Sequence, residues 1–158
     1  MSEAFQSKPM TVEDAWIDYN GHMNMAYYSL LFDRGADGAL DRLGIGAAYA
    51  REKGFTIYTA EIHIAYLREL HRGDEVTVSL QLLEYDAKRL RTFQEVRHAD
   101  GWVAATAETL MLHIDMSGPK VAAFQEETMA LLEVMKAEHA GLPMPERAGR
   151  GIALKRPS

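Results

Sequence analysis

Residues 56–114 read TIYTAEIHIAYLRELHRGDEVTVSLQLLEYDAKRLRTFQEVRHADGWVAATAETLMLHI. In this stretch polar and apolar side chains alternate over four runs, which is the pattern of half-buried β-strands. The runs are residues 56–67, 74–85, 88–99 and 102–114. Short turn sequences separate them, including Asp100-Gly101, a strong hairpin signal. Four consecutive strands with such short connections predict an antiparallel meander.

The meander is flanked by predicted helices. Residues 24–43 carry apolar side chains at helical spacing on more than one face, with Asn24 as a candidate N-cap, which predicts a largely enclosed helix. Gly35 and Gly38 are costly inside a helix, so we expect another element to approach them closely. Two further helices are predicted, at residues 47–53 and 124–138.

The ends of the chain are less regular. We expect residues 1–8 to form an N-terminal arm, 10–18 a weak strand and 141–158 an irregular tail on the surface. The 158 residues together predict one α+β domain, in which a curled antiparallel sheet of about five strands wraps around one long helix. The strand at 56–67 is apolar on much of both faces, so we expect its outer face to meet a second subunit.

The composition excludes several classes of function. The chain has no cysteine, which excludes disulfides, thiolate metal sites and a cysteine nucleophile. A formal net charge of -6 argues against a general nucleic-acid binder, since neutralising phosphates needs a basic surface. The first ten residues are polar, unlike a signal peptide, and no apolar run approaches the ~20 residues of a membrane span. We therefore expect a cytoplasmic protein that makes no contact with a membrane.

The densest group of reactive side chains precedes the long helix, in the run Asp18-Tyr19-Asn20-Gly21-His22-Met23-Asn24. A carboxylate, an imidazole and an amide lie within seven residues there, at the positive end of the helix dipole. Backbone amides of a first helical turn can bind a developing oxyanion, which suits acyl transfer with Asp18 attacking or activating water. The spacing alone favours a structural role, in which Asp and Asn cap the helix and Asn20-Gly21 forms a turn.

Other catalytic frameworks are missing from the sequence. It contains no G-x-S-x-G elbow, no G-x-G-x-x-G after a strand and no H-E-x-x-H. His63 and His71 are too far apart, on a strand and a turn, to form an obvious metal pair. We therefore expect neither a metal nor a redox cofactor.

The run from Asp18 to Tyr28 resembles the D-x-x-G-H-x-N-x-x-Y signature of 4-hydroxybenzoyl-CoA-thioesterase-like hot-dog proteins, and the order of elements agrees with it. More narrowly, four segments resemble the betainyl-CoA thioesterases of carnitine catabolism, which also occur fused to carnitine dehydrogenase. These segments are Glu61-Ile62-His63-Ile64-Ala65-Tyr66-Leu67-Arg68-Glu69, Asp86-Ala87-Lys88-Arg89-Leu90, Ala104-Ala105-Thr106-Ala107-Glu108 and His113-Ile114-Asp115. The resemblance spans residues 9–154.

The resemblance implies a hot-dog fold and an acyl-CoA thioesterase that forms a homodimer, often paired into a homotetramer, with active sites at the subunit interface. It implies that Asp18 is the acidic catalytic residue and that His22 and Asn24 shape the site around it. Coenzyme A is then part of the substrate and no separate cofactor is needed. Two questions stay open: the identity of the acyl group, and whether Asp18 is a nucleophile or a general base.

Further candidates are assigned by their chemistry. Lys88, Arg89 and Arg91 are candidates to bind the phosphates of CoA, although charges at hairpins are more often solvated. A betainyl group carries a permanent positive charge, which favours aromatic rings and carboxylates. The candidate substrate-binding residues are therefore Trp16, Tyr19, Tyr27, Tyr66 and Glu61. Core packing is the alternative for the aromatic residues, and a buried or interfacial ion pair with His63 is the alternative for Glu61.

Two other functions remain open at this point. A hot-dog hydratase or dehydratase also uses an acid and a histidine, but Asp18 and His22 are only four residues apart and both precede the helix, which suits a thioesterase better. A non-catalytic CoA-binding module is the other alternative. The carboxylate at Asp18 argues against that reading, since binding alone does not require it.

Overall fold

The computed structural model describes residues 2–154, while Met1 and residues 155–158 lie outside the described part. Within it, seven strands form one sheet, accompanied by three α-helices. The strands are β1 (Phe5–Gln6), β2 (Met10–Thr11), β3 (Phe55–Tyr66), β4 (Glu75–Tyr85), β5 (Arg89–His98), β6 (Val103–Asp115) and β7 (Lys120–Val121). The helices are α1 (Ala26–Arg42), α2 (Ala47–Lys53) and α3 (Glu126–Glu138). The predicted α+β class and the four long antiparallel strands are confirmed. The predicted four-strand meander is wrong, because only β4, β5 and β6 are neighbours in chain order, whereas β3 pairs with β6. The connection over residues 67–74 therefore carries the chain from one side of these strands to the other.

The sheet is antiparallel throughout, in the order β1-β4-β5-β6-β3. The short strands β2 and β7 lie off this path, paired with β4 and with the end of β6. In the described chain, β3 pairs on one side only, with β6. Its other edge therefore carries backbone amides and carbonyls without a neighbouring strand. Among residues 2–154, no helix is both long and apolar enough to cross a membrane.

The long strand β3 changes faces part of the way along. Its register with β6 shifts between Thr59 and Glu61, which marks a β-bulge. Ile57, Thr59 and Ile62 therefore share the inner face, which is the face towards α1. Glu61 and His63 lie on the opposite, outer face. The strict alternation predicted over 56–67 is wrong at this point, because one extra residue resets the phase.

The helix α1 lies on the inner face of the sheet and buries one side against it. The buried residues are Tyr28, Leu31, Phe32, Gly35, Ala36 and Ala39. A Cβ atom at Gly35 would overlap the side chain of Val78 in β4, and one at Gly38 would lie 2.6 Å from Cζ of Phe5 in β1. The predicted close approach at the two glycines is confirmed.

The other side of α1 is polar and exposed, with Asp33, Arg34 and Asp37 in its middle. The prediction of a largely enclosed helix is wrong for the single chain. Tyr27 and Leu30, which widen the apolar stripe, are only half-buried. The sheet covers only one side of the helix. Tyr27 and Leu30 therefore lie at the boundary between the buried side and the exposed side.

The segment 10–18 departs from the predicted strand. The strand β2 ends at Thr11, and a single 3-10 turn, Asp14–Trp16, follows. Val12 and Trp16 are both buried, and in a continuous strand Asp14 between them would face the core as well. Because burying an unpaired carboxylate is costly, the turn that leaves Asp14 exposed is favoured.

Both ends of the chain lie on the sheet. The predicted arm contains β1, in which Phe5 pairs with Leu80. Residues 141–154 contain neither helix nor strand, as predicted, and the amide of Gly149 donates to both carboxylate oxygens of Glu108, at 2.9 and 3.0 Å. Since Glu108 belongs to the outer face of β6, the tail crosses that face. Met1 of the arm and residues 155–158 of the tail lie outside the described residues.

The helix α3 is joined to the sheet by a buried histidine just beyond its end. Nδ1 of His139 accepts the backbone amide of Leu82 in β4 at 2.9 Å. A Glu138–Arg42 ion pair at 2.8 Å joins α3 to the end of α1. Burial lowers the pKa of His139, so the ring favours the neutral form, in which Nδ1 can accept that amide.

Candidate active site

The run that precedes α1 folds into a tight loop. Ile17 and Met23 form an antiparallel bridge, and the amide of Asp18 donates to the carbonyl of His22 at 3.1 Å. Gly21 has φ +82°, a conformation that side chains with a Cβ rarely adopt, and it lets the chain reverse within five residues. The amide of Met23 donates to the carbonyl of Leu70 at 2.7 Å, which fixes the loop to the segment between β3 and β4.

The carboxylate of Asp18 is held from both sides. One oxygen, Oδ1, accepts the amide of Asn20 at 2.9 Å. The other, Oδ2, lies 3.4 Å from Nδ2 of Asn24, which can donate to it. These contacts bring together two of the three residues predicted as the catalytic group, and His22 lines the same cavity.

The first turn of α1 leaves one backbone amide available. Oδ1 of Asn24 accepts the amide of Ala26 at 2.9 Å, and the carbonyl of Asn24 accepts that of Tyr27 at 3.1 Å. The N-cap position is Met25, one residue later than predicted, but the side chain of Asn24 still accepts the first amide of the helix, that of Ala26. Within residues 2–154, the amide of Met25 has no hydrogen-bond partner. It lies at the positive end of the helix dipole, beside the Asp18 cavity.

A surface cavity of about 510 Å³ opens over this loop. Its lining residues come from the loop, the start of α1 and the end of β3: Asp18, Tyr19, Asn20, His22, Met23, Asn24, Met25, Tyr28, Tyr66, Leu67, Arg68 and Glu69. The ring of Tyr66 meets that of Tyr28 edge to face, with centroids 5.1 Å apart. The hydroxyl of Tyr66 donates to the carbonyl of Met25 at 3.3 Å. Burial raises the pKa of Tyr28 and of Tyr66, so both phenols stay neutral donors.

Three of the predicted substrate-binding residues lie elsewhere. Trp16 and Tyr27 stack on each other with centroids 5.6 Å apart, and Cζ of Arg34 lies 5.5 Å from the centroid of the Trp16 ring. Neither aromatic residue lines the Asp18 cavity. Glu61 lies on the outer face of β3, where it lines a second cavity under the tail together with His63. The other two, Tyr66 and Tyr19, line the cavity, Tyr66 from the end of β3 and Tyr19 from the loop.

The predicted CoA-binding cations lie at the far end of the sheet within one chain. Lys88 and Arg89 follow the turn between β4 and β5, whereas the Asp18 loop contacts the segment where β4 begins. Eleven residues of β4 separate these ends, a distance of about 35 Å. Arg89 binds Asp86 through Nε at 2.7 Å, and this hydrogen bond holds the pKa of Asp86 below its ordinary value.

Arg91 lies on the outer face rather than at the turn. It pairs with Glu84 at 3.0 Å and with Glu108 at 3.1 Å. Glu108 also accepts the amide of Gly149, so Arg91 supports the anchoring of the tail. The CoA contacts of Lys88, Arg89 and Arg91 stay a prediction, and within one chain none of the three lines the Asp18 cavity.

Sequence reasoning missed several lining residues, among them Tyr28, Arg68 and Glu69. Tyr28 belongs to the buried side of α1 and is only 4% exposed, yet it lines the cavity. Arg68 and Glu69 lie two and three residues beyond the end of β3, and this end lines the same cavity as the Asp18 loop. Their position was a usable signal, since charged residues at a strand end often line a site. The sequence did not show, however, that this strand end lies beside the Asp18 loop. Over the described chain, no group of His, Asp or Glu has the geometry of a metal site.

Comparison with known proteins gives consistent results. The model of the family described as the thioesterase-like superfamily matches residues 12–132. A betainyl-CoA thioesterase of Pseudomonas aeruginosa is 34% identical over 159 aligned residues, covering 98% of both chains. An L-carnitine dehydrogenase/betainyl-CoA thioesterase of Rhizobium meliloti is 41% identical over 146 residues, and the chain spans 29% of its length. A hypothetical protein of Staphylococcus aureus, solved in complex with CoA, superposes with a TM-score of 0.89 at 30% identity, covering 98% of both chains.

Proposed function

The chain belongs to the thioesterase-like superfamily and hydrolyses acyl-CoA thioesters, and from this premise we propose that Asp18 begins the reaction and that the acyl group is betainyl or a close analogue. The observation that carries the proposal is the convergence of three groups on one cavity: the Asp18 carboxylate, the Asn24 amide that can donate to it, and the Met25 amide at the start of α1. The betainyl group is suggested by two relatives named as betainyl-CoA thioesterases. Their alignments cover 98% and 92% of this chain.

The geometry supports hydrolysis by two related routes. In the first, Asp18 takes a proton from water, the water oxygen attacks the thioester carbon, and the C–S bond breaks to release CoA as its thiol after protonation. In the second, a carboxylate oxygen of Asp18 attacks the same carbon, and water then hydrolyses the mixed anhydride. In both, negative charge develops on the carbonyl oxygen, where the Met25 amide and the helix dipole stabilise it. The proposed reaction uses only water and protein groups.

A second subunit would complete the site. The free edge of β3 can pair with β3 of another copy, and antiparallel pairing would set the start of one β3 beside the end of the other. Because β5 lies only two strands from β3, about 10 Å away, the partner's β4–β5 turn would then approach the Asp18 end. This homodimer reconciles the predicted CoA contacts of Lys88 and Arg89 with their distance from Asp18 inside one chain.

The proposal is tested by substituting Asp18→Asn, which keeps the shape and an acceptor for the Asn20 amide while removing the charge. We expect kcat for betainyl-CoA to fall by at least about 10²-fold, because neither route can start without the carboxylate. Free thiol release measures the rate, and an unchanged circular dichroism spectrum shows that the variant folds. Hydrolysis by the variant within a few-fold of the parent rate would overturn the assignment.

The same assay separates the alternative functions. A hydratase would convert an enoyl-CoA without releasing thiol, and a binding module would retain acyl-CoA without either reaction. Single turnover in ¹⁸O-labelled water then tests the nucleophilic route, because label in Asp18 would establish it. Isotope enters the Asp18 carboxylate only if that carboxylate is the nucleophile, because hydrolysis of the anhydride returns one water oxygen to one of the two acids.

A further inference from the structure

The proposed acyl group limits where its positive charge can lie. In a betainyl thioester, one methylene separates the quaternary nitrogen from the carbonyl carbon. The cation must therefore sit in the same cavity as Asp18 and the Met25 amide. Glu61 is excluded because it lies on the outer face of β3. Asp33 is excluded because it lies nine residues beyond Asn24 on α1, about 13 Å along the helix.

The chemistry of the cation limits the groups that can recognise it. A trimethylammonium group has no N–H, so it cannot donate a conventional hydrogen bond, and proteins bind it with aromatic rings and nearby carboxylates. Trp16 is a poor candidate, since it is 4% exposed and already carries Arg34 against its ring. The remaining candidates are therefore the aromatic and acidic residues that line the Asp18 cavity.

Tyr66 and Glu69 satisfy both limits. We infer that they form the subsite that selects a quaternary ammonium acyl group, an assignment that rests on the proposed function. Tyr66 is 46% exposed, which leaves part of its ring free for a ligand, and its hydroxyl is tied to the carbonyl of Met25. The residue whose amide receives the oxyanion therefore also fixes the ring, so the ring lies beside the reacting carbonyl. Tyr28 supports that ring from behind, edge to face.

Glu69 supplies the negative charge on the same cavity wall. Its carboxylate has a distant partner in His71, 3.6 Å away, and both side chains are largely exposed. The neighbouring cation is directed elsewhere, because Cζ of Arg68 lies 4.1 Å from the centroid of the Trp102 ring. Arg68 also lines the cavity, but its guanidinium is engaged by the Trp102 ring, whereas the carboxylates of Glu69 and Asp18 are available to a cationic acyl group.

The experiment compares betainyl-CoA with 3,3-dimethylbutanoyl-CoA, in which a carbon atom replaces the quaternary nitrogen and the shape is kept. The ratio of their kcat/KM values measures recognition of charge alone. We expect Glu69→Gln and Tyr66→Leu each to reduce this ratio by about fivefold or more. Tyr66→Phe keeps the ring and should retain most of the preference. Glu52→Gln, on the exposed end of α2, is the matched control.

Each outcome has one meaning. A parent enzyme that prefers betainyl-CoA, with a ratio unchanged in both Glu69→Gln and Tyr66→Leu, overturns the subsite and leaves the proposed substrate standing. A parent enzyme that hydrolyses only the neutral analogue overturns the proposed acyl group and the subsite with it. We also expect tetramethylammonium to inhibit hydrolysis of the neutral analogue competitively, and Glu69→Gln to weaken this inhibition. This measurement does not depend on turnover of a cationic substrate.

Discussion

Asn24 uses the two ends of its side-chain amide for different purposes. The oxygen caps α1 through the amide of Ala26, and the nitrogen can donate to the carboxylate of Asp18. The sequence suggested both roles, as an N-cap and as a site residue, and left the choice open. The structure shows that they do not compete, because each uses a different atom.

Substitutions of Asn24 can separate these roles. Serine keeps an oxygen for the Ala26 amide but has no amide group to reach Asp18, whereas alanine loses both. We expect Asn24→Ala to lower the free energy of unfolding by about 1 kcal/mol and Asn24→Ser to leave it nearly unchanged. Both should reduce kcat about tenfold, as expected for losing a hydrogen bond to a charged group. Urea unfolding and thiol release measure the two effects, and a parent-like kcat in Asn24→Ser would contradict the role at Asp18.

The candidate site could be predicted from the sequence where its residues are neighbours in the chain. Asp18, His22 and Asn24 meet because one loop and one helix start hold them. Glu61 and Tyr66 could not both be right, since they are an odd number of residues apart on one strand and therefore lie on opposite faces after the bulge. Trp16 was misplaced for a different reason, because the 3-10 turn that buries it has no periodic signature.

At the scale of elements, the connection between α3 and β4 depends on a titratable group. His139 is buried, and its Nδ1 accepts the Leu82 amide. Burial is the main cause that lowers the pKa of His139; Arg42 and Lys136 lower it further, and Glu138 raises it. A histidine with a depressed folded pKa costs stability in acid, since the unfolded chain binds the proton first.

The pH dependence of stability should reveal this connection. Above the ordinary pKa of 6.5, His139 is neutral in the folded and in the unfolded protein, so it adds no pH dependence to the free energy of unfolding. As the pH falls through 6.5 towards the lower pKa of the folded state, the unfolded chain binds a proton first and the protein loses stability. We expect His139→Asn, whose side-chain oxygen can take the place of Nδ1, to lose less stability between pH 7.5 and about 5.5. Urea midpoints at each pH measure this. His71→Asn, at an exposed histidine, is the control. If the urea midpoint changes equally with pH in the parent protein and in His139→Asn, the prediction is contradicted.

The long elements were more predictable than the short ones. The four long strands and the three helices follow from periodicity, because each is long enough to repeat its pattern. Their order in the sheet does not follow from it, since β3 pairs with β6 rather than with β4, the next strand in the chain. The two-residue strands β1 and β2 are too short to show any period and are defined only by their pairing with β4. Gly35 and Gly38 predicted close packing correctly, but the identity of their neighbours, Val78 and Phe5, depends on the tertiary fold.

At the scale of the whole molecule, the hot-dog fold suggested by the motif is confirmed by the antiparallel sheet with its long packed helix and by the solved relatives. The expectation that 56–67 meets a second subunit stays a prediction. It is supported by the free edge of β3 and by the exposed side chains of Tyr58 and Ile62, one on each face of that edge. A lone sheet edge of this length and composition is a ready template for pairing.

Substituting Ile62→Lys tests the assembly. We expect the variant to shift from dimer towards monomer in sedimentation velocity, because a buried lysine at the interface would lose its hydration. Its activity should fall as well, since the partner is proposed to bring Lys88 and Arg89 to the site. Val121→Lys is the matched control, because Val121 is 42% exposed compared with 41% for Ile62 and lies on β7, away from the free edge. A monomeric parent protein with full activity would contradict both parts.

The bulge in β3 has a practical consequence for changing which acyl group the enzyme accepts. If the strand is treated as a simple alternation, only odd-numbered or only even-numbered positions are chosen for randomisation. Because the bulge exchanges the two faces, part of such a library would change side chains on the outer face. The positions that face α1 are 57 and 59 before the bulge and 62, 64 and 66 after it. A library restricted to those five codons concentrates all its diversity on the side of the sheet where a substrate can encounter it.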